Sequence, residues 1–202
     1  MIDAMPIRKL ASRLRRARDA IVALRRDRDG VSAVEFALIL PLMVTLFLAT
    51  VETTQGLQAD RKVSLAARTL SDLASQTTVI SNNDMSNIMD ATADIIAPFA
   101  MTQAQVVVTG IQTDILGVSR VVWSDARNTT RYTCGQLMTV PTELKPTLGT
   151  TGFLVLAEVK YYYTPTVAYL ISGTVTLSDR LYTRPRIGET VSRTPSQGVG
   201  CI

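Results

Sequence analysis

The sequence predicts an α+β protein built on one long N-terminal helix. Three observations point there. Residues 36–51, FALILPLMVTLFLATV, form an apolar run without a charge, placed directly behind a basic block. Apolar residues at helical spacing then continue to about residue 76 and return over 84–97. Strand-like segments begin only at Gln105. Helices followed by strands, rather than alternating with them, favour an antiparallel sheet over parallel βαβ units. This reading divides the 202 residues into a basic cytoplasmic leader (1–30), a transmembrane helix (31–51), a helical stalk (52–80), an extracytoplasmic α+β domain (81–182) and a tail (183–202).

The leader carries the charge. Residues 1–30 hold nine basic residues, among them Arg25, Arg26 and Arg28, and four acids. The remaining 172 residues hold 12 basic and 13 acidic side chains, so the overall +4 belongs to the leader rather than to a basic folded surface. A nucleic-acid partner would need that charge on the body. A basic block before an apolar run is instead a topology signal. With only Glu52 on the far side, it places the N-terminus in the cytoplasm and residues from about 52 onward outside it.

Counted from Val31, the apolar segment has 21 residues, ~31 Å as a helix and about one hydrocarbon thickness. It is long for the apolar core of a secretory signal, and the small-residue site ending at Ala59 is spoiled by Leu57. Two residues break its pattern. Pro41 removes a backbone hydrogen bond, as a passive kink or a hinge. Glu35 places an acid near the cytoplasmic end of an apolar helix, where it costs less than at the centre but still needs a reason. One reason is charge balance with Arg28. The other uses the whole string from Gly30 to Phe36, GVSAVEF.

That string resembles the processing site of type IV pilin-like precursors, cut by a prepilin peptidase after a glycine. The Glu-Phe pair and the cut before the apolar run are similar to the Flp branch. The arginine-rich leader, the stretch RDRDGVSAVEFALILPLMV and the closing segments AEVKYYYTP and LSDRLYTRPR resemble TadE/TadF-like minor pseudopilins of the tight-adherence pilus and secretion system. The resemblance implies a cut between Gly30 and Val31, with Glu35 fifth and Phe36 sixth in the mature chain. It implies that Glu35 of one subunit neutralises the Val31 ammonium of a neighbour; an ion pair lowers the cost of both charges in lipid. The implied partners are the prepilin peptidase, other pilin or pseudopilin subunits, the inner-membrane assembly platform and membrane lipid. The implied site is the bacterial inner membrane, with a periplasmic C-terminal domain.

Beyond the membrane run, Leu57, Val63, Ala66, Ala67, Leu70, Leu73 and Ala74 make an apolar stripe, with Arg61, Lys62, Arg68 and Asp72 opposite. The helix therefore continues from about 32 to 76 as a stalk packed on a sheet. Ser81-Asn82-Asn83 signals a stop and a new cap, Met85 to Phe99 a second helix over 84–97, and Pro98 its end. Val106–Thr109 and Val118–Ser124 flank a turn at Asp114–Gly117. Residues 125–152 read as loop. Phe153–Tyr163 is apolar on both faces, one for the stalk and the other for a partner. Val167–Ile171 is a short helix or a strand extension, Thr174–Tyr182 a half-buried strand, and the tail coil.

The chemistry points away from an enzyme. Histidine is absent, which removes Ser-His and Cys-His pairs and His-ligated zinc; two cysteines are too few for four-cysteine sites; no phosphate-binding glycine loop is present. No cofactor or metal is expected. Cys134 and Cys201, both placed outside the cytoplasm, read as a disulfide closing ~67 residues, about 4 kcal/mol in the entropy model, or as two free thiols. Tyr161, Tyr162, Tyr163, Tyr169, Tyr182 and Trp123 form an aromatic concentration, as strand residues or as a contact surface. The assignment from another class is a bitopic periplasmic binding module held by an uncleaved signal-anchor helix.

Overall fold

The computed structural model describes residues 18–20, 22–23, 29–165 and 173–195. The chain divides into two units, Met1–Thr50 and Val51–Ile202. The described part of the first is helical and exposed up to Phe47, with Leu48 and Ala49 half-buried. It contains the start of α1 (Asp29–Ser75), which ends in the second unit and runs without a break through Pro41. In the second unit follow β1 (Val79–Ile80), α2 (Asn82–Ile96), β2 (Ala104–Thr113), β3 (Ser119–Arg127), β4 (Gly152–Tyr163), β5 (Val175–Thr183) and β6 (Ser192–Arg193). The α+β class and the antiparallel sheet agree with the sequence reading.

Four strands form one antiparallel sheet in the order β3-β2-β4-β5. Alternation decides its two faces. Ala104, Val106 and Val108 of β2 and Val155, Ala157, Val159, Tyr161 and Tyr163 of β4 join one core with Ala59, Val63, Ala66, Ala67, Leu70 and Ala74 of α1 and Met85, Ile88, Met89 and Ile96 of α2. Four of the six α1 residues are alanine. Their small side chains let the helix backbone approach the sheet, and Ser71, fully buried, sends its Oγ to Thr183 Oγ1 of β5. Leu57, assigned to this stripe from the sequence, is instead 55% exposed, and Ala59 takes the inward position. The helical phase permits this: two residues further on turns the side chain by roughly 200°.

α2 starts where its capping signal stands. Ser81 Oγ accepts the Asp84 backbone N–H at 3.2 Å, and Asp84 Oδ2 accepts the Ser81 N–H at 2.9 Å, a reciprocal capping box. The Ser81 hydroxyl, donating to Asp84 Oδ2 at 2.7 Å, and then the Ser81 N–H hold the Asp84 carboxyl below its ordinary value. Its far end is closed by a residue of another helix. Lys62, placed by the sequence on the face opposite the apolar stripe, donates to the carbonyls of Ile95 at 2.9 Å and Ala97 at 2.6 Å, satisfying oxygens the helix cannot.

The β2–β3 turn is built on Asp114. Its Oδ1 accepts the N–H groups of Leu116 and Val118, both at 2.9 Å, and Gly117 takes a positive φ of 77° that a side chain would resist. The register shifts between Gly110 and Ile111, and across Gly110 lies the Trp123 indole. A Cβ at Gly110 would fall 2.5 Å from Trp123 Cε2 and 2.9 Å from Phe153 Cζ, so only glycine fits.

The sequence leaves the second face of β4 for a partner. Over its first half the partner is this chain. Leu154 and Leu156 join Ile111 and Val140, with Met138, Leu144 and Tyr182 alongside, under the segment that returns from β3 to β4. Further along, Glu158 is gripped from both sides: Tyr132 Oη donates to Oε2 at 2.7 Å and Arg180 pairs with Oε1. Burial, then the bond to Glu158 and its charge, pushes the Tyr132 hydroxyl up to about 12.

The segment after Thr183, read as coil, is folded as far as it is described. β6 pairs in parallel with β1, Val79 beside Ser192 and Ile80 beside Arg193. Two residues impose this. The buried Trp123 Nε1 donates to the Val191 carbonyl at 2.7 Å. Arg193, its side chain only 5% exposed, has donors on four partners: Asp125 through Nε and Nη2 (2.9 and 3.3 Å), the carbonyls of Ile80 (3.2 Å) and Thr194 (2.7 Å), and Asn82 Oδ1 (2.7 Å). A planar guanidinium fork satisfies such a set where an ammonium could not. The sequence shows an ordinary basic residue in a glycine- and proline-rich tail and no signal of this.

Candidate functional site: the apolar helix and its N-terminal string

Gly30, Val31, Glu35 and Phe36 all lie on α1 (Asp29–Ser75). Val31 and Glu35 are four residues apart, hence on one side of the helix, one above the other. Around Gly30 nothing approaches within 4 Å of where a Cβ would stand. Val31 is 56% and Phe36 60% exposed, and the large apolar side chains from Val31 to Phe47 are all exposed. Apolar surface of this extent, bare on every side, is inconsistent with a core helix and compatible with a single-pass membrane anchor. Within the run the threonines turn inward on their own backbone: Thr45 Oγ1 donates to the Pro41 carbonyl at 2.7 Å and Thr50 Oγ1 to that of Leu46 at 2.9 Å. Hydroxyls satisfied in this way remain tolerable in lipid.

Where the apolar run ends, the second unit begins. Glu52, the acid on the far side of the run, is buried at 4% exposure. It lies close enough to Tyr163 to add to the upward push that burial gives that hydroxyl. The Tyr163 ring covers Gly56, at 3.8 Å from where a Cβ would stand. This places the last residues of β4 beside the first turns of the stalk, and the Asp114–Gly117 turn at the other end of the sheet. Between the stalk and β4 opens a cleft of about 380 Å³, lined by Gln55, Gln58, Phe99, Gln103, Tyr161 and Tyr163, with Pro98 and Thr164 at its margin. Phe99 stands edge-on to Tyr161 (centroids 5.9 Å apart, planes at 63°) and to Tyr163 (6.2 Å, 78°). Tyr161 Oη donates to Gln103 Oε1 at 3.1 Å. The sequence does not announce this cleft. Its only linear trace is two glutamines, Gln55 and Gln58, one turn apart just past the apolar run.

The other candidate residues are dispersed. Cys134 is half-buried in the β3–β4 connection, its Sγ 3.4 Å from the Val122 carbonyl oxygen, and among the described residues no cysteine is free. Its expected partner, Cys201, lies outside the described residues, as do Tyr169 and Val167–Ile171 and most of the basic leader. Of the aromatic concentration, Trp123, Tyr161 and Tyr163 are buried and serve the fold, whereas Tyr162 and Tyr182 are half-buried on the second face.

Comparison with known proteins agrees with this N-terminal segment. Residues 30–71 match the family model described as TadE-like protein. The match covers the glycine, the glutamate–phenylalanine pair, the apolar run and most of the stalk. No curated protein and no solved structure matches the chain.

Proposed function

Residues 30–71 being TadE-like, we propose that the chain is a minor pseudopilin that assembles or primes an Flp-type adhesive pilus from the inner membrane. The observation that carries this reading is the coincidence, in one helix, of the family match, the string GVSAVEF and an apolar surface exposed on all sides. In this reading a prepilin peptidase cuts between Gly30 and Val31, the basic leader stays in the cytoplasm and the second unit is periplasmic. Glu35 recognises the Val31 ammonium of a neighbouring subunit, where both charges would otherwise stand in lipid. The role is structural rather than catalytic, and the partners are other pilin-like subunits and the assembly platform. Cys134 and Cys201 form a bridge in the oxidising compartment and fasten the C-terminus.

Intact-mass measurement of the protein extracted from membranes tests the reading. The expected mass is that of a chain beginning at Val31, gaining about two hydrogens on reduction as the bridge opens. A chain retaining Met1, or one cut near Ala59, would refute the pilin-type processing. Quantitative alkylation of both thiols without reductant would refute the bridge.

A further inference from the structure

We propose that the cleft of Gln55, Gln58, Phe99, Gln103, Tyr161 and Tyr163 holds the headgroup of a zwitterionic, ammonium-bearing phospholipid. The proposal rests on the membrane-anchored reading above. Depth is the first argument. The uncharged run ends at Val51, and in the same helix Gln55 and Gln58 stand four and seven residues further on, ~6 and ~10 Å along the axis. The headgroup layer occupies roughly the first 5–8 Å beyond the hydrocarbon, so Gln55 stands within it and Gln58 at its outer edge. Aromatic rings with one apolar and one polar end collect at this level.

Chemistry is the second argument. None of the lining residues carries a formal charge. The glutamine amides offer both donors and acceptors. Gln103 already accepts from Tyr161 through Oε1, which leaves its amide N–H groups as donors for a phosphate or ester oxygen. Of the three rings, Tyr161 and Tyr163 are buried and stand edge-on to Phe99, which is half-buried, so Phe99 is the ring whose face an ammonium group can approach. Lys62 spends two of its three donors on the carbonyls of Ile95 and Ala97, the latter next to Pro98 of the cleft. Among the described lining residues a net-negative headgroup would meet no cation, whereas a zwitterion finds amides for its phosphate and an aromatic wall for its ammonium.

The test uses the full chain reconstituted in nanodiscs of equal phosphatidylethanolamine and phosphatidylglycerol, released into native mass spectrometry. The expected result is retained phosphatidylethanolamine enriched about fivefold over the bulk ratio, the effect of one ammonium–ring contact. The enrichment should vanish in a Gln55→Ala/Gln58→Ala variant whose buried Trp123 emission is unchanged, which shows the fold intact. Unselective retention, preference for phosphatidylglycerol, or enrichment that survives in the double variant would overturn the proposal. A protein that a carbonate wash removes from membranes would instead overturn the membrane reading itself, and this inference with it.

Discussion

Replacing Arg193 by methionine should cost about 3 kcal/mol of stability in the second unit. The guanidinium is 5% and the Asp125 carboxylate 19% exposed, so this is an almost fully buried pair. Removing one member of a buried pair costs ~3–5 kcal/mol, because the remaining charge loses its compensation. The residual exposure of Asp125 favours the lower end. The carbonyls of Ile80 and Thr194 and the Asn82 amide oxygen lose a donor as well. At about 3 kcal/mol the unfolding equilibrium shifts by roughly 150-fold, and Tm for a unit of this size falls by roughly 6–12 °C. The protein carries its own probe. Trp123 is the only tryptophan, fully buried, and bonded to the carbonyl of Val191, two residues from Arg193. Denaturant unfolding of the full chain in detergent, followed by its emission, reads the loss directly. Arg193→Lys should recover only part of it, since an ammonium cannot form the fork. Arg186→Met, which breaks an ion pair with Asp72 whose arginine is 61% exposed, should cost no more than about 1 kcal/mol. A loss below about 1 kcal/mol in Arg193→Met, or equal losses in both variants, would refute the claim that this network holds the tail.

Three further outcomes are expected. Gly110→Ala forces a Cβ into Trp123 and Phe153 and should destabilise by about 1–3 kcal/mol with a shifted Trp123 emission maximum; an unchanged denaturation midpoint would contradict the packing. Tyr132 keeps its proton in the folded state to about pH 12 while an unfolded tyrosine loses it near 10, so the unfolded chain binds fewer protons in that window and stability should fall as pH rises through it. Titrating phenolate absorbance should show a late step that Tyr132→Phe removes. On the proposed pairing, Glu35→Ala protein that is still processed should accumulate normally yet fail to assemble, because that pairing would leave the Val31 ammonium of a neighbour uncompensated; normal piliation would end the pairing mechanism.

How much of this molecule can be read from its chain depends on how local the cause is. The apolar run, the basic flank and GVSAVEF are contiguous, and so are the capping box at Ser81 and the turn at Asp114. Each acts within one or two helical turns or one hairpin, and the sequence by itself determined the long apolar helix, the second helix, the four long strands and the TadE-like segment. Positions decided by what arrives from far along the chain were not legible. Leu57 and Ala59 lie in the same apolar stretch, and only the angle at which the helix meets the sheet turns one outward and the other in. Lys62 is an ordinary solvated lysine until the end of α2, more than thirty residues on, brings it two bare carbonyls. Arg193 acquires its partners from Ile80, Asn82 and Asp125, whose contacts with it span 68 to 113 residues, so nothing near it in sequence announces a strand. The cleft between stalk and sheet likewise exists only because Gln55 and Gln58 meet Gln103 and the tyrosines of β4. Patterning specifies elements because periodicity and capping are short-range. The tertiary structure alone decided which buried polar groups are satisfied, because that depends on partners the chain brings together only when it folds.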